Sequence, residues 1–211
     1  FYNSNINAGQ SQSVAETNAW STVNTNFPND RGYYDWEDAL LRTASYQNYD
    51  VSVSGANDRT SYYTSASYSK EQGRSRNNEM DRLSARLNVT QKVGKYVDVG
   101  SNVSFTRVEK EGFNDTYNTG SNYFFAARNL LVHGYQPTKE NGEPWTERYR
   151  SYAYNYPYYD GLKENTSTMY KVSMIESVSV NILPELALKT VFSYDQTRVD
   201  DHSYYSPKHY S

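Results

Sequence analysis

Between Tyr46 and Asp195 the chain alternates: every second residue in six stretches is apolar or aromatic, and those between are Ser, Asn, Thr, Asp or Arg. In 47–54 one face reads Tyr49, Val51, Val53 and the other Asn48, Asp50, Ser52, Ser54. Successive side chains of a β-strand point to opposite sides, so such a strand divides an apolar medium from a wet one. The pattern predicts strands at about 46–55, 60–70, 80–91, 96–107, 168–182 and 186–195. In the third, Leu83, Ala85, Leu87 and Val89 oppose Arg82, Ser84, Arg86 and Asn88. The fifth carries Tyr170, Val172, Met174, Val178, Val180 and Ile182 on one face, with Glu176 as a charge inside that stripe. A bulge that shifts the register, or a different phase, is the expected repair.

The connections alternate too. Those at 56–59, 92–95 and 183–185 are short, the one at 71–79 is medium, and the one at 108–166 is very long. Tight turns therefore gather at one end of the sheet and long loops at the other, as in outer-membrane barrels. Strands of roughly 9–11 residues suit a tilted bilayer crossing. Tyr49, Tyr68, Phe105, Tyr170, Phe192 and Tyr194 fall near the loop-side end of the apolar face, where an interfacial aromatic girdle belongs. Lys70 and Arg107 lie at its edge, in reach of water. Outside the strands, 1–33 is Asn/Ser/Thr-rich and reads as an irregular segment. Residues 34–45 read as a short helix and lead-in, with acids in the first turn of 35–42. A second short helix is predicted around 123–131, and 196–211 reads as a loop or the start of a next strand.

Composition narrows the classes. Tyr reaches 23 against Phe 7 and Trp 3, and only 36% of residues are hydrophobic. A mean hydropathy of −0.91 excludes helical membrane spans but is neutral on barrels, whose strands expose only alternate residues to lipid. A net charge of −3 with no basic stripe argues against nucleic acid. The absence of Cys removes disulfides and thiolate metal sites. His133, His202 and His209 stand apart from any nucleophile, and Asp200-Asp201-His202 reads as a solvated segment rather than a cation site. No enzyme, metal or cofactor is expected. The long loop carries the candidate substrate-binding residues Tyr123, Phe124, Trp145, Tyr149 and Tyr152. Aromatic faces beside Asn, Glu and Arg stack on sugar rings or grip peptides. The plainer reading is that they pack the loop onto itself or onto a partner. Arg82 and Arg86, on the wet face, suit contact with a solute or a structural ion pair.

Several words in this order resemble one family. Asp35-Trp36-Glu37-Asp38, Arg42-Thr43-Ala44 and the 47–55 stretch ending Ser52-Val53-Ser54-Gly55 are similar to the start of the barrel region in SusC/RagA-type TonB-dependent outer-membrane transporters, with Ala56 where a second Gly is usual. The likeness continues through 62–68, Glu71-Gln72-Gly73, 82–88 and 97–104, and returns at 186–195. The resemblance implies an all-β fold, here an antiparallel transmembrane β-barrel segment of six strands from a barrel of about 22 around a plug. It implies outer-membrane lipid against the apolar face, a SusD-like surface lipoprotein as lid, and a TonB complex acting through a plug outside this sequence. The implied function is active import of oligosaccharides or peptides across a bacterial outer membrane. The competing class is a secreted, soluble β-sandwich that binds carbohydrate or mediates adhesion.

Overall fold

The computed structural model describes residues 2–26, 34–112, 123–131, 134–149 and 153–209. Six strands form one antiparallel sheet in chain order: β1 (Ser45–Ala56), β2 (Thr60–Gln72), β3 (Glu79–Val93), β4 (Val97–Glu111), β5 (Lys163–Leu183) and β6 (Leu186–Tyr205). The helical pieces are α1 (Tyr2–Asn7), α2 (Gln12–Asn26), α3 (Trp36–Leu40), α4 (Tyr123–Phe125), which runs into a π-helical turn at Ala126–Leu130, and α5 (Tyr156–Asp160). Two compact units result. One is the sheet, 43–113 and 164–204; the other gathers 1–42, 114–163 and 205–211.

The register keeps apolar residues together across strands. Tyr49, Tyr68, Leu83, Arg107 and Tyr170 stand in one row. Val51, Ala66, Ala85, Phe105 and Val172 form the next, then Val53, Thr64, Leu87, Val103 and Met174. Lys70 and Arg107 do not merely reach for water: Lys70 pairs with Glu79 at 3.2 Å, and Arg107 pairs with Glu109. Glu176 needs neither bulge nor phase change. The β4–β5 register runs unbroken, Glu176 sits opposite Ser101 on the apolar face, and the Ser101 hydroxyl donates to its carboxylate at 2.7 Å. A polar partner on the neighbouring strand, invisible within β5 itself, is what accommodates the charge. Gly55 faces Tyr62, and a Cβ there would lie 2.7 Å from the Tyr62 ring. The ring covers the glycine, which explains a residue without a side chain one position before the end of β1.

The structure corrects the expectation of a transmembrane β-barrel segment. The sheet is open: β1 pairs on one side only with β2, and β6 stands last in the order. Closure requires the first and last strands to pair with a fixed stagger, and neighbours in this meander pair only in sequence. The strands also run 12–21 residues, each longer than its predicted span, because the hydrogen-bond ladder continues where side-chain alternation stops. No described helix is long and apolar enough to cross a membrane. The β-sandwich is not formed either, since all described strands belong to one sheet.

The turns follow local chemistry. The Asn57 side chain accepts from the Arg59 and Thr60 amides at 2.9 and 2.8 Å, an Asx turn that joins β1 to β2. Gly94, at φ 68°, supplies the left-handed residue of the β3–β4 turn. Residues 12–26 are helical despite lacking an apolar period. Three threonines there, Thr17, Thr22 and Thr25, bond back to the carbonyl four residues earlier at 2.8–2.9 Å.

Candidate functional site

The second unit is organised around stacked aromatics. Asp35 caps α3, accepting from the Asp38 amide at 3.0 Å, and the helix delivers Trp36 and Leu40 to the interior. The Trp36 indole Nε1 donates to the Tyr135 carbonyl at 3.1 Å, joining residues 99 apart. Tyr149 stands between two near-parallel rings, Tyr135 at 4.7 Å and Trp145 at 5.7 Å, with Trp36 edge-on at 5.9 Å. Such pairs stabilise by about 0.5–1.5 kcal/mol each beyond the area they bury. The Tyr149 hydroxyl donates to the Gln136 carbonyl, and burial pushes its pKa far above the ordinary tyrosine value. Asn155 ties the loop together, donating to the carbonyls of Pro137 at 2.7 Å and Trp145 at 3.2 Å.

Of the candidate binding residues, Tyr123 and Tyr149 are buried, with 1% and 4% of their surface exposed. Phe124 and Trp145 are half-buried and pack against the cluster from its periphery. Tyr152 and His133 lie outside the described residues. The aromatics thus divide into an inner set that fixes the loop and an outer set that retains accessible faces. Lys139 supports the outer set: its ammonium pairs with Glu147 at 2.9 Å and lies 6.0 Å from the centre of the Trp145 ring.

Two groupings were not legible in the sequence. Tyr123 donates to Asp160, and Lys163 contacts both, at 2.9 Å from the Asp160 carboxylate and 3.1 Å from the Tyr123 hydroxyl. Burial raises the Asp160 pKa and the Lys163 charge opposes the rise, with burial the stronger. Only the i,i+3 spacing of Asp160 and Lys163 hinted at this; Tyr123 comes from 37 residues away. The other grouping is His209, packed edge-on against Tyr159 and Tyr205 at 5.5 and 5.0 Å. Burial, helped by the Lys163 charge, lowers its pKa. A neutral folded histidine keeps its contribution above the unfolded value of about 6.5 and loses it as pH falls through that value towards the folded one. Acidification below about pH 6.5 is therefore expected to lower the melting temperature, and His209→Gln to remove that part of the slope. An unchanged slope in the variant would refute this.

Asp200, Asp201 and His202 lie on β6 rather than in a loop, with Asp200 paired to Arg198 at 2.9 Å and His202 4.0 Å from Glu164. Among the described residues, no group of three or more His, Cys, Asp or Glu is placed to hold a metal.

Comparison with known proteins gives this geometry a context. TonB-dependent receptor P26 of Formosa agariphila is 31% identical over 108 residues, 48% of this chain and 11% of the relative. TonB-dependent receptor P3 of the same organism is 33% identical over 86 residues, 41% of this chain and 9% of the relative. Solved structures of the RagAB peptide transporter and of the RagAB peptide importer in its closed-closed state match with TM-scores of 0.66 and 0.65. Those matches are 26% and 25% identical, covering 84% and 82% of this chain. Homology ties the chain to RagA-type, TonB-dependent outer-membrane transport. The likeness supports the SusC/RagA family, while the six-strand transmembrane barrel segment expected with it is corrected to an open sheet. The similarity is to transport proteins and not to enzymes. No family model matches. The chain spans about a tenth of the length of the curated relatives it matches and a fifth of the matched solved chains.

Proposed function

We propose that this chain belongs to an outer-membrane, TonB-dependent importer that takes up peptides or oligosaccharides with a SusD-like surface lipoprotein. The observation that carries the reading is the likeness to RagAB structures over more than four-fifths of the chain. The same likeness favours peptides over oligosaccharides, because those solved proteins are described as a peptide importer and transporter. In this reading the aromatic unit meets the substrate. Phe124 and Trp145 offer the contact faces, Tyr123 and Tyr149 hold them in place, and Tyr152 adjoins them in sequence.

The experiment is uptake of fluorescent peptides by cells that lack the gene, complemented with wild type or variants. Deletion is expected to abolish energy-dependent uptake. Undiminished uptake in the deletion strain would overturn the proposal. Trp145→Ala is expected to weaken peptide capture about tenfold, equivalent to about 1.4 kcal/mol. Circular dichroism checks that the variant has folded.

A further inference from the structure

The wet face of the sheet carries a depression of about 320 Å³ that the transport reading leaves unused. Arg82 and Arg86 line it together with Ser67, Ser84, Ser104 and Thr106. The register explains the convergence. Arg86 lies opposite Ser65 and Ser104, Ser84 lies between Ser67 and Thr106, and Arg82 lies opposite Ser69 and Val108. Two guanidiniums four residues apart on one strand share a face, with Cα atoms about 13 Å apart, and small hydroxyl residues on both flanks leave the space between them open.

The charges here are unbalanced. Neither Arg82 nor Arg86 makes an ion pair or side-chain hydrogen bond among the described residues. Lys171 adds a third cation on the same face, opposite Thr106. Carboxylates on this face of β1–β5 are few. Glu71, diagonal to Arg82, forms no ion pair with it; Asp50 stands two strands away with Asn48 as donor; and Asp98, at the opposite end of β4, accepts from Asn181. Guanidinium forks match carboxylates bidentately, and the surrounding hydroxyls add donors of the same sense.

We infer that the depression between Arg82 and Arg86 is a binding site for the side-chain carboxylates of an acidic peptide. This rests on the peptide-import reading above. An extended chain places side chains two residues apart on one side at about 7 Å and four residues apart at about 13 Å, so alternating acids reach both guanidiniums.

The test measures anisotropy of a rhodamine-labelled Glu-Ser-Glu-Ser-Glu peptide on the purified intact protein, with the Gln-Ser-Gln-Ser-Gln peptide as control. The Glu peptide is expected to bind at least tenfold more tightly at low salt, with the difference shrinking as salt screens the pairs. Combining Arg82→Gln with Arg86→Gln is expected to bring its affinity down to that of the Gln peptide. Arg59→Gln, in the β1–β2 turn, leaves it unchanged. Replacing both arginines by Lys keeps the charge and any structural role of the long side chains, and is expected to retain part of the preference. Equal affinity for the two peptides, or a double Gln variant that binds like wild type, overturns the assignment. So does arginine-dependent binding of an oligouronide without binding of the Glu peptide. Uptake separates the two readings: if cells import the Gln peptide through this protein while the Glu preference is absent, only the site assignment falls. If neither peptide is imported, the import reading falls with it.

Discussion

Trp36→Ala is expected to cost about 3–5 kcal/mol, the range for truncating a large buried aromatic, and to loosen the aromatic unit while the sheet persists. Trp36 is 1% exposed, touches Tyr34 and Tyr149 edge-on, and bonds to the Tyr135 carbonyl. Its removal leaves a cavity beside the Tyr135–Tyr149–Trp145 stack and orphans a buried carbonyl. Hydrogen exchange should show lost protection at the Trp145 and Tyr149 amides, which bond to Pro137 and Ala153, and near-native protection in β2–β4. Trp36→Phe keeps most of the packing and forfeits the indole bond, a loss of about 1 kcal/mol. If Trp36→Ala melts like wild type, the ring is not the pivot described above.

The second large effect is expected at Lys163. Lys163→Met leaves the Asp160 carboxylate and Tyr123 hydroxyl facing each other without the cation that bridges them. Breaking a buried pair from one side costs about 3–5 kcal/mol. The side chains here retain 13% and 23% exposure, which screens the interaction, so about 2 kcal/mol is expected. Asp160→Asn in the same chain should recover most of it, and that non-additivity is the measurable signature. The pH dependence has a definite sign. A carboxyl whose folded pKa is raised binds protons more readily in the native state, so its influence on stability becomes more favourable as pH falls through that pKa. The defect in Lys163→Met should therefore shrink on acidification and be flat in the double variant. A defect that deepens in acid would refute the assignment.

The sheet was legible because its signal is local. Period-two alternation placed all six strands and paired Leu83, Ala85 and Leu87 on one face, since a one-residue slip would reverse every side chain. Strand ends were less so, as in β6, which continues through Arg198, Asp200 and His202 without any apolar rhythm. Whether a sheet closes is not a local property: alternation is the same in an open meander and in a barrel wall, so the six-strand barrel segment expected from alternation and resemblance is an open sheet here. The helix at 12–26 escaped because its few apolar residues, among them Val14, Ala19 and Trp20, gather on no dominant face and only Ala15 among the described side chains is buried. In the aromatic unit, residue type was informative and role was not. Tyr123 and Phe124 are adjacent in sequence, yet one is buried under Tyr156 and the other is half-exposed. Only the fold sorts them.

The bond from Trp36 to Tyr135 also bears on the order of events during folding. Its two ends are separated by four strands that pair only with their neighbours in sequence, so each hairpin closes a short loop while the tryptophan must wait for a very long one. Closure entropy grows with the length of chain enclosed, and forming the meander first shortens the effective loop. The near-ultraviolet signal of Trp36 should thus rise after the far-ultraviolet strand signal in a refolding experiment, making this indole a built-in clock for completion of the β1–β4 meander.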